Sequence, residues 1–327
     1  MENYPVDIVY LWCDSSDDVW RTKKNDELRK LGKATDNDST GDCRFIDNDE
    51  LKYSLRSLEK YAPWINNIFI VTDSQVPKWL DTTNPKIKII DHKEILPEDV
   101  LPTFNASAIE TALHKIPNLS EHFLFANDDM FFARPVQKSF FFDEKDTKPI
   151  FRFSKRRIIN KTYKHLYGYM ISSAYKLVEQ KYGKSFPYFP HHNIDAYCKS
   201  DIEKCYNEFL EGFEKTARQK FREKDCIQRS IFGYYSIACG CASPKIVNNF
   251  AAKISDLIHK KSQDSMMFVL KKNKLSQIIK HRPYLFCIND SSETCDEDRA
   301  AMKEFLEKEF PQQSKFEKMG ITREIKE

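Results

Sequence analysis

The stretch FLFANDDMFF, Phe123 to Phe132, sets Asn127, Asp128 and Asp129 between two aromatic, apolar runs. An ionised carboxylate without a partner is costly to bury. Acids in such surroundings cap a helix, open a turn, face water at a strand end, or hold a cation or substrate. Paired carboxylates offer the hard oxygens that a divalent cation takes, often together with substrate phosphates. The same grammar recurs along the chain. VDIVYLW (Val6 to Trp12) runs into Asp14 and Asp17, NIFIVTD ends in Asp73, KIKIIDH carries Asp91, and PYLFCIND (Pro283 to Asp290) ends in Asn289 and Asp290.

Other residue types supply complementary chemistry. His191 and His192 follow Pro190 in the polar loop YFPHHNID, where a neutral imidazole suits proton removal near pH 7 and a solvated loop histidine is the plain alternative. His114, between Leu113 and Ile116, is expected to pack on a helix. Guanidinium forks match phosphate oxygens, which singles out Arg44 ahead of the Asp47 to Glu50 acid run, Arg222 in KFREKD, and Arg282, although most arginines are solvated. Asp47, Asn48 and Asp49 are equally candidates for helix capping. The basic run Arg152 to His165 and the stretch from Lys253 through Arg282 read as solvated faces or as attractors of an anionic polymer or acidic membrane surface.

These residues need elements to hold them. VDIVYLW, NIFIVTD, KIKIIDH and HFLFANDD are short β-branched or apolar runs suited to buried strands. Leu51, Leu55, Leu58 and Ala62 recur at helical spacing between Asp49 and the stop at Pro63, and Ile109, Leu113 and Ile116 mark a second helix over Asn105 to Ile116. Strands alternating with helices predict a mostly parallel sheet flanked by helices, with ligands bound beyond the carboxyl ends of the strands, where the acids lie. Phe140 to Tyr188 looks irregular. Helical readings follow for Ile194 to Phe213, Lys224 to Ala238, Pro244 to Ile258 and Ser262 to Lys272. PYLFCIND should return to or beside the main sheet before a last charged helix, Cys295 to Phe310.

At 327 residues, with 41% hydrophobic and 13% aromatic content and 8 glycines, the chain is expected to be compact and soluble rather than disordered or fibrous. The net charge of +3 calls for no nucleic acid. No stretch has the form of a signal peptide or membrane span. The 9 cysteines match no zinc or CxxC spacing and read as reduced structural thiols.

Arg44 to Leu80 (RFIDNDELKYSLRSLEKYAPWINNIFIVTDSQVPKWL) and Leu101 to Val136 (LPTFNASAIETALHKIPNLSEHFLFANDDMFFARPV) closely resemble the second conserved region of the Stealth family. That family includes bacterial capsular polysaccharide phosphotransferases and the animal N-acetylglucosamine-1-phosphotransferase. DIVYLWCDSSDDVW resembles its first region, although the usual WVNGxD is here Trp12, Cys13, Asp14, Ser15, Ser16, Asp17. His191 to Gly240 resembles the third region and Phe286 to Asp290 the fourth.

The resemblance implies a Rossmann-like, glycosyltransferase-A-like α/β fold in one catalytic domain. Residues 1–140 would form the nucleotide-sugar core, 141–282 a mainly helical acceptor side, and 283–327 a return to the core. It implies transfer of a sugar 1-phosphate from a nucleotide diphosphate sugar to a hydroxyl of a growing capsular polysaccharide, releasing a nucleoside monophosphate. A metal-dependent glycosyltransferase releasing a nucleoside diphosphate is the alternative, and a non-catalytic polyanion-binding protein a more distant one. Asp128 and Asp129 would hold Mg²⁺ or Mn²⁺, Arg222 would face the phosphates, and His191 or His192 would take the acceptor proton. Asp14, Asp17, Arg44, Asp47, Asn48, Asp49, Asp73, Asn127, Arg282, Asn289 and Asp290 would shape the donor pocket. Without the inserted domains of the animal enzyme, the chain is expected in the bacterial cytoplasm, with peripheral association to the inner membrane or capsule assembly compatible with it.

Overall fold

The computed structural model describes residues 4–32, 38–158, 162–183, 186–247 and 264–319. Its strands are β1 (Val6–Leu11), β2 (Ile68–Thr72), β3 (Ile87–Asp91), β4 (His122–Asn127), β5 (Met130–Phe132), β6 (Ile150–Arg157), β7 (Tyr188–Pro190), β8 (Asp195–Cys198), β9 (Ser243–Ile246), β10 (Ser265–Val269) and β11 (Leu285–Asn289). The main helices are α1 (Asp18–Lys30), α2 (Glu50–Tyr61), α3 (His92–Ile95), α4 (Ala106–Glu110), α5 (Leu166–Tyr182), α6 (Lys199–Glu208), α7 (Leu210–Arg218), α8 (Ser230–Ala238), α9 (Lys272–His281) and α10 (Asp296–Glu309).

The central sheet has the order β3-β2-β1-β4-β8, parallel except for β8, which runs antiparallel to β4. Both faces are covered, so the strands are apolar on both sides rather than alternating. Ile8, Tyr10, Ile68, Ile70 and Leu124 pack against Leu51, Leu55 and Leu58 of α2. Val9, Phe69, Val71, Phe123 and Phe125 face the second core with Ile171 and Phe232 from α5 and α8. Full burial of leucines such as Leu51 and Leu55 contributes about 1.5–3 kcal/mol each. The expected mostly parallel sheet with helices on both faces is the architecture found.

After the turn at Asp128–Asp129 the chain leaves this sheet. β5 joins a three-stranded sheet, β10-β11-β5, in which β11 pairs antiparallel with β5 and parallel with β10. Two serines of α2 satisfy the backbone of β5 at close quarters. The Ser54 hydroxyl donates to the Met130 carbonyl at 2.5 Å, and the Ser57 oxygen accepts from the Phe132 amide at 3.0 Å. PYLFCIND therefore lies beside the main sheet, not in it. The third sheet, β7-β6-β9, carries β7 directly into His191 and His192.

Several sequence expectations fail in the second half. Among the described residues, 140–188 hold β6 and the long helix α5 where an irregular stretch was expected. Ile194 to Phe213 begins as β8 before α6, Lys224 to Ala238 is helical only from Ser230, Pro244 belongs to β9, and Ser262 to Lys272 holds β10 instead of a helix. A short apolar run such as SMMFV is compatible with either state, and strand pairing with β11 decides it. Residues 248–263, which carry the rest of two of these expectations, lie outside the described residues. The helix over Asn105 to Ile116 divides into α4 and a single 3₁₀ turn, Leu113–Lys115, while Ile109, Leu113 and Ile116 are buried as the spacing predicts.

Candidate active site

Where the two sheets diverge, the turn between β4 and β5 exposes its carboxylates to a cleft beyond the carboxyl ends of β1 and β4. The Asp129 amide donates to Asp128 Oδ1 at 3.1 Å. Asp129 Oδ2 accepts from the Cys287 thiol at 3.5 Å, and Oδ1 is buried with no hydrogen-bond partner. Glu50 opens α2 from below. It is buried, and its two oxygens take the backbone and side-chain N–H groups of Asn48 at 2.5 and 2.7 Å. Asp47 completes the group by accepting from the Asp49 amide at 3.1 Å. Among the described residues none of these four carboxylates makes an ion pair.

Burial and mutual repulsion raise their proton affinities. Asp128 is pushed well above the usual carboxylate range by burial, then by the charges of Glu50, Asp129 and Asp47. Burial takes Glu50 up to about 8, with the Asn48 hydrogen bond opposing and Asp47 adding to the rise. Asp129 is raised to about 6 by burial, against the Cys287 hydrogen bond and the charges of Arg229 and Arg44. Asp47 is raised to about 6 by burial, then by Asp49 and Asp14.

The cleft holds about 170 Å³ and meets a wider surface hollow of about 550 Å³ at Ser39 and Arg222. Both basic groups on its walls are placed by aromatic neighbours in sequence. Arg44 precedes Phe45, which packs on Trp20 at 5.1 Å between ring centroids. Arg222 follows Phe221, which stacks on Phe104 at 5.4 Å, and Phe104 in turn meets Trp20 at 5.2 Å. One aromatic cluster thus fixes both arginines opposite the acids. His92 closes the far wall. Burial lowers it to about 4, against the pull of Asp73 and Asp91, so it is neutral.

A second charged set lies beneath the acids. Arg229 is buried; its Nε donates to Asp195 at 3.2 Å and its Nη1 to Glu110 at 3.2 Å, while its amide meets the other Glu110 oxygen at 3.2 Å. The guanidinium sits 4.8 Å from the Phe125 ring on β4. Burial works against its charge, but the two carboxylates overcome this and hold it protonated. Burial raises both acids, Asp195 to about 6, against the charge of the Arg229 they share.

Arg229 and Asp195 also border a small hollow of about 10 Å³ with His191 and His192. His191 Nδ1 lies 3.0 Å from the Ser265 hydroxyl, and its amide donates to the Arg152 carbonyl at 2.8 Å. His192 differs. Both of its ring nitrogens are buried with no hydrogen-bond partner, and its ring stands edge-on to Tyr167 at 5.7 Å. Burial, then the charges of Arg229, His191 and Arg44, lower it to about 3, so the ring is neutral. That Arg44 acts on His192 makes the hollow and the cleft close neighbours.

The cleft gathers Arg44, Asn127, Asp128, Asp129, Arg222, Asn289 and Asp290 from distant parts of the sequence. Asp14 stands behind Asp47 with its carboxylate held by Ser16 at 2.8 Å. Four candidates have other employment. Asp17 caps α1 by accepting from the Trp20 amide at 2.8 Å, and Asp73 is clasped by Lys23 at 3.0 and 3.1 Å. Asp49 turns outward to Lys303 at 2.7 Å. Arg282 is exposed at the C-cap of α9, before the start of β11 and away from the end carrying Asp290. Asp290 itself is paired with Arg299 at 2.8 Å, His114 packs on Tyr206, and Arg56 is spent on Glu317 at 2.7 Å.

Glu110, Asp195, Arg229 and His92 escaped sequence reasoning, and Glu50 was seen only as the end of an acid run. The usable signal was a charge within an apolar run, as in CIQRSIF for Arg229 and AIETAL for Glu110, since such residues are buried only when paired. As to metal, among the described residues no three His, Cys, Asp or Glu side chains are gathered as a ready-made site. The hard oxygens of Asp128 and Asp129, the orphaned Oδ1 and the missing counter-cation do fit a divalent ion that completes its shell with substrate and water oxygens.

Residues 44–150 match the model of Stealth protein CR2, conserved region 2, and residues 276–324 that of Stealth protein CR4, conserved region 4. The capsular polysaccharide phosphotransferase fcs1 of Haemophilus influenzae is 35% identical over 88% of this chain and 79% of its own. The exopolysaccharide phosphotransferase cps2G of Lactiplantibacillus plantarum is 31% identical over 96% of this chain and 97% of its own. The longer exopolysaccharide phosphotransferase SCO6021 of Streptomyces coelicolor is 35% identical, and the chain spans 55% of it. Among solved structures, the galactosyltransferase LgtC in complex with donor and acceptor sugar analogues aligns over 94% of this chain and 95% of its own, at a TM-score of 0.47 and 11% identity. No helix among the described residues is long and apolar enough to cross a membrane. The chain is a transferase and belongs to the Stealth family.

Proposed function

We propose that the protein transfers a sugar 1-phosphate from a nucleotide diphosphate sugar to a hydroxyl of a growing capsular polysaccharide, as the names of its relatives suggest. The observation that carries this reading is the cluster of Asp128, Asp129 and Glu50 in the cleft, with Asp47 beside them and no cation paired to any of the four among the described residues, faced by two arginines set on one aromatic cluster. Such a site is completed by a pyrophosphate that arrives with its counter-ion.

The acceptor oxygen attacks the phosphorus attached to the sugar, and the bond between that phosphorus and the bridging oxygen breaks. The nucleoside monophosphate leaves with the electron pair, and the sugar C1–oxygen bond survives. Asp128 and Asp129 would hold Mg²⁺ or Mn²⁺, which when bound neutralises charge on the pyrophosphate. Arg222 and Arg44 orient the phosphoryl oxygens and stabilise their charge. His192, rather than the Ser265-tied His191, takes the acceptor proton, since it is neutral and its ring nitrogens lack partners.

The test is the nucleotide product. With a panel of nucleotide diphosphate sugars and an oligosaccharide acceptor, chromatography should show a nucleoside monophosphate, and ³¹P NMR a phosphodiester in the product. Release of a nucleoside diphosphate would mean glycosyl transfer and would end this reading.

A further inference from the structure

Lys224 lines the wide hollow together with Arg222, at the outer end of the cleft. From there contacts between rings and cations lead to β6 and β7, with Tyr163 and Phe189 buried beneath and the cations exposed. Lys224 Nζ lies 5.1 Å from the Tyr169 ring centroid, and Tyr169 meets Tyr163 at 5.4 Å between centroids. Tyr163 meets Phe189 at 5.8 Å, and the Arg156 guanidinium lies 4.1 Å from the Phe189 centroid. Arg157 follows, 5.5 Å from the ring of Tyr188. Lys224, Arg156 and Arg157 are exposed, as is Lys155, and none of the four has a carboxylate partner among the described residues. Three acids lie at the inner end: Asp225 is paired with Lys215 at 2.7 Å, Asp38 accepts from the Leu166 amide at 3.1 Å, and Glu223 borders the hollow.

The strands beneath connect these contacts to the chemistry. β7 passes Tyr188 and Phe189 and enters His191 and His192, while its partner β6 carries Phe153 opposite Pro190 and Arg157 opposite Tyr188. Between those two pairs the register shifts, as β6 takes four residues where β7 takes two. Arginines laid on aromatic faces are held in place before a ligand arrives, so less side-chain freedom is lost on binding, and their forks match phosphate oxygens.

We propose that the exposed cations Lys224, Arg156 and Arg157, seated on Tyr169, Phe189 and Tyr188, bind the acceptor polymer, an anionic glycan whose backbone phosphodiesters lie against the guanidinium groups. This rests on the phosphotransfer reading, because each transfer adds one phosphodiester, and so one negative charge, to the chain being extended. An anionic bilayer competes for any basic surface. Cations that lead to the outer end of the cleft suit a polymer, which has an end to deliver.

The experiment uses the full chain and the variants Arg156→Glu/Arg157→Glu and Arg156→Gln/Arg157→Gln. The probes are fluorescent poly(glycerol phosphate), a plain polyphosphodiester, and vesicles of phosphatidylglycerol. Wild type should bind the polymer with an affinity that falls with salt. Charge reversal should weaken binding about tenfold or more and reduce the salt slope by about 2, one for each lost phosphate contact, with the glutamine pair between. Nucleotide release with a single-unit acceptor should be unchanged in both variants, which also shows that they fold. No polymer binding by wild type, equal binding by the variants, or a loss confined to vesicles overturns the proposal. Release of a nucleoside diphosphate would instead remove the phosphotransfer reading, while the binding arm still reports on the surface.

Discussion

Two groups of buried acids lie on either side of the end of β4, and the fold treats them oppositely. Glu110 and Asp195 share Arg229, with each contact at 3.2 Å. Asp128, Asp129, Glu50 and Asp47 make no ion pair among the described residues, and every one of them has a raised proton affinity. The first arrangement satisfies itself and holds the floor of the site. The second leaves an unmet demand for positive charge, which a structural role would not require. Identical chemical groups a few residues apart in the fold are thus told apart by who neutralises them.

Breaking the satisfied set should have the largest effect on folding. Arg229→Met leaves Glu110 and Asp195 buried without a cation and should cost about 3–5 kcal/mol, read as a lower denaturant midpoint. Adding Glu110→Gln and Asp195→Asn should recover part of that loss, since the stranded charges are then gone. An Arg229→Met protein of unchanged stability would remove the distinction between the two groups. Asp128→Asn and Asp129→Asn should do the reverse. Nucleotide release should fall about 10²–10³-fold, while the melting temperature holds or rises as like-charge repulsion is relieved. A collapse in stability would make the turn a structural element.

The unsatisfied set also predicts a pH dependence. A carboxyl whose folded value is raised adds stability that is fully present below its unfolded value and is lost as the pH climbs through the folded one. Asp47 at about 6 and Glu50 at about 8 place that loss between pH 4 and 8. Each unit of raised affinity is worth about 1.4 kcal/mol. The melting temperature of the metal-free protein should therefore fall across this window. Glu50→Gln should flatten its upper part, and saturating Mg²⁺ should reduce the fall by favouring the ionised cleft. A flat profile without metal would contradict the repulsion inferred for these acids.

What the sequence discloses follows the same divide. The strand runs ending in acids, and α2 with its leucines at helical spacing, are local patterns, and they led directly to Asp128 and Asp129. Glu50 was hidden because an acid in a first helical turn normally answers the helix dipole, and only the approach of the β4–β5 turn makes it part of a cleft. Arg229 depends on partners 119 and 34 residues away, which no periodicity reveals. β10 was misread for a related reason, since its strand state comes from pairing with β11. Choosing between His191 and His192 likewise needed the Ser265 contact, from a segment over 70 residues on.

The run Asp47–Asn48–Asp49–Glu50 repeats the contrast within four residues and gives its smallest test. Glu50 lines the cleft and Asp47 lies beside it, neither with a cation among the described residues, whereas Asp49 holds Lys303 at 2.7 Å on a part-exposed surface. Asp49 also has φ 66°, a left-handed conformation that asparagine accepts about as readily as aspartate, so Asp49→Asn adds no backbone strain. The substitution removes one solvent-screened ion pair and should change stability by no more than about 1 kcal/mol. Because the Asp49 charge is among those raising Asp47, its removal should also ease the pH-dependent fall slightly at the lower end. Turnover should stay at the wild-type level. A marked drop in turnover with stability intact would return Asp49 to the substrate pocket and move the boundary between the two kinds of acid.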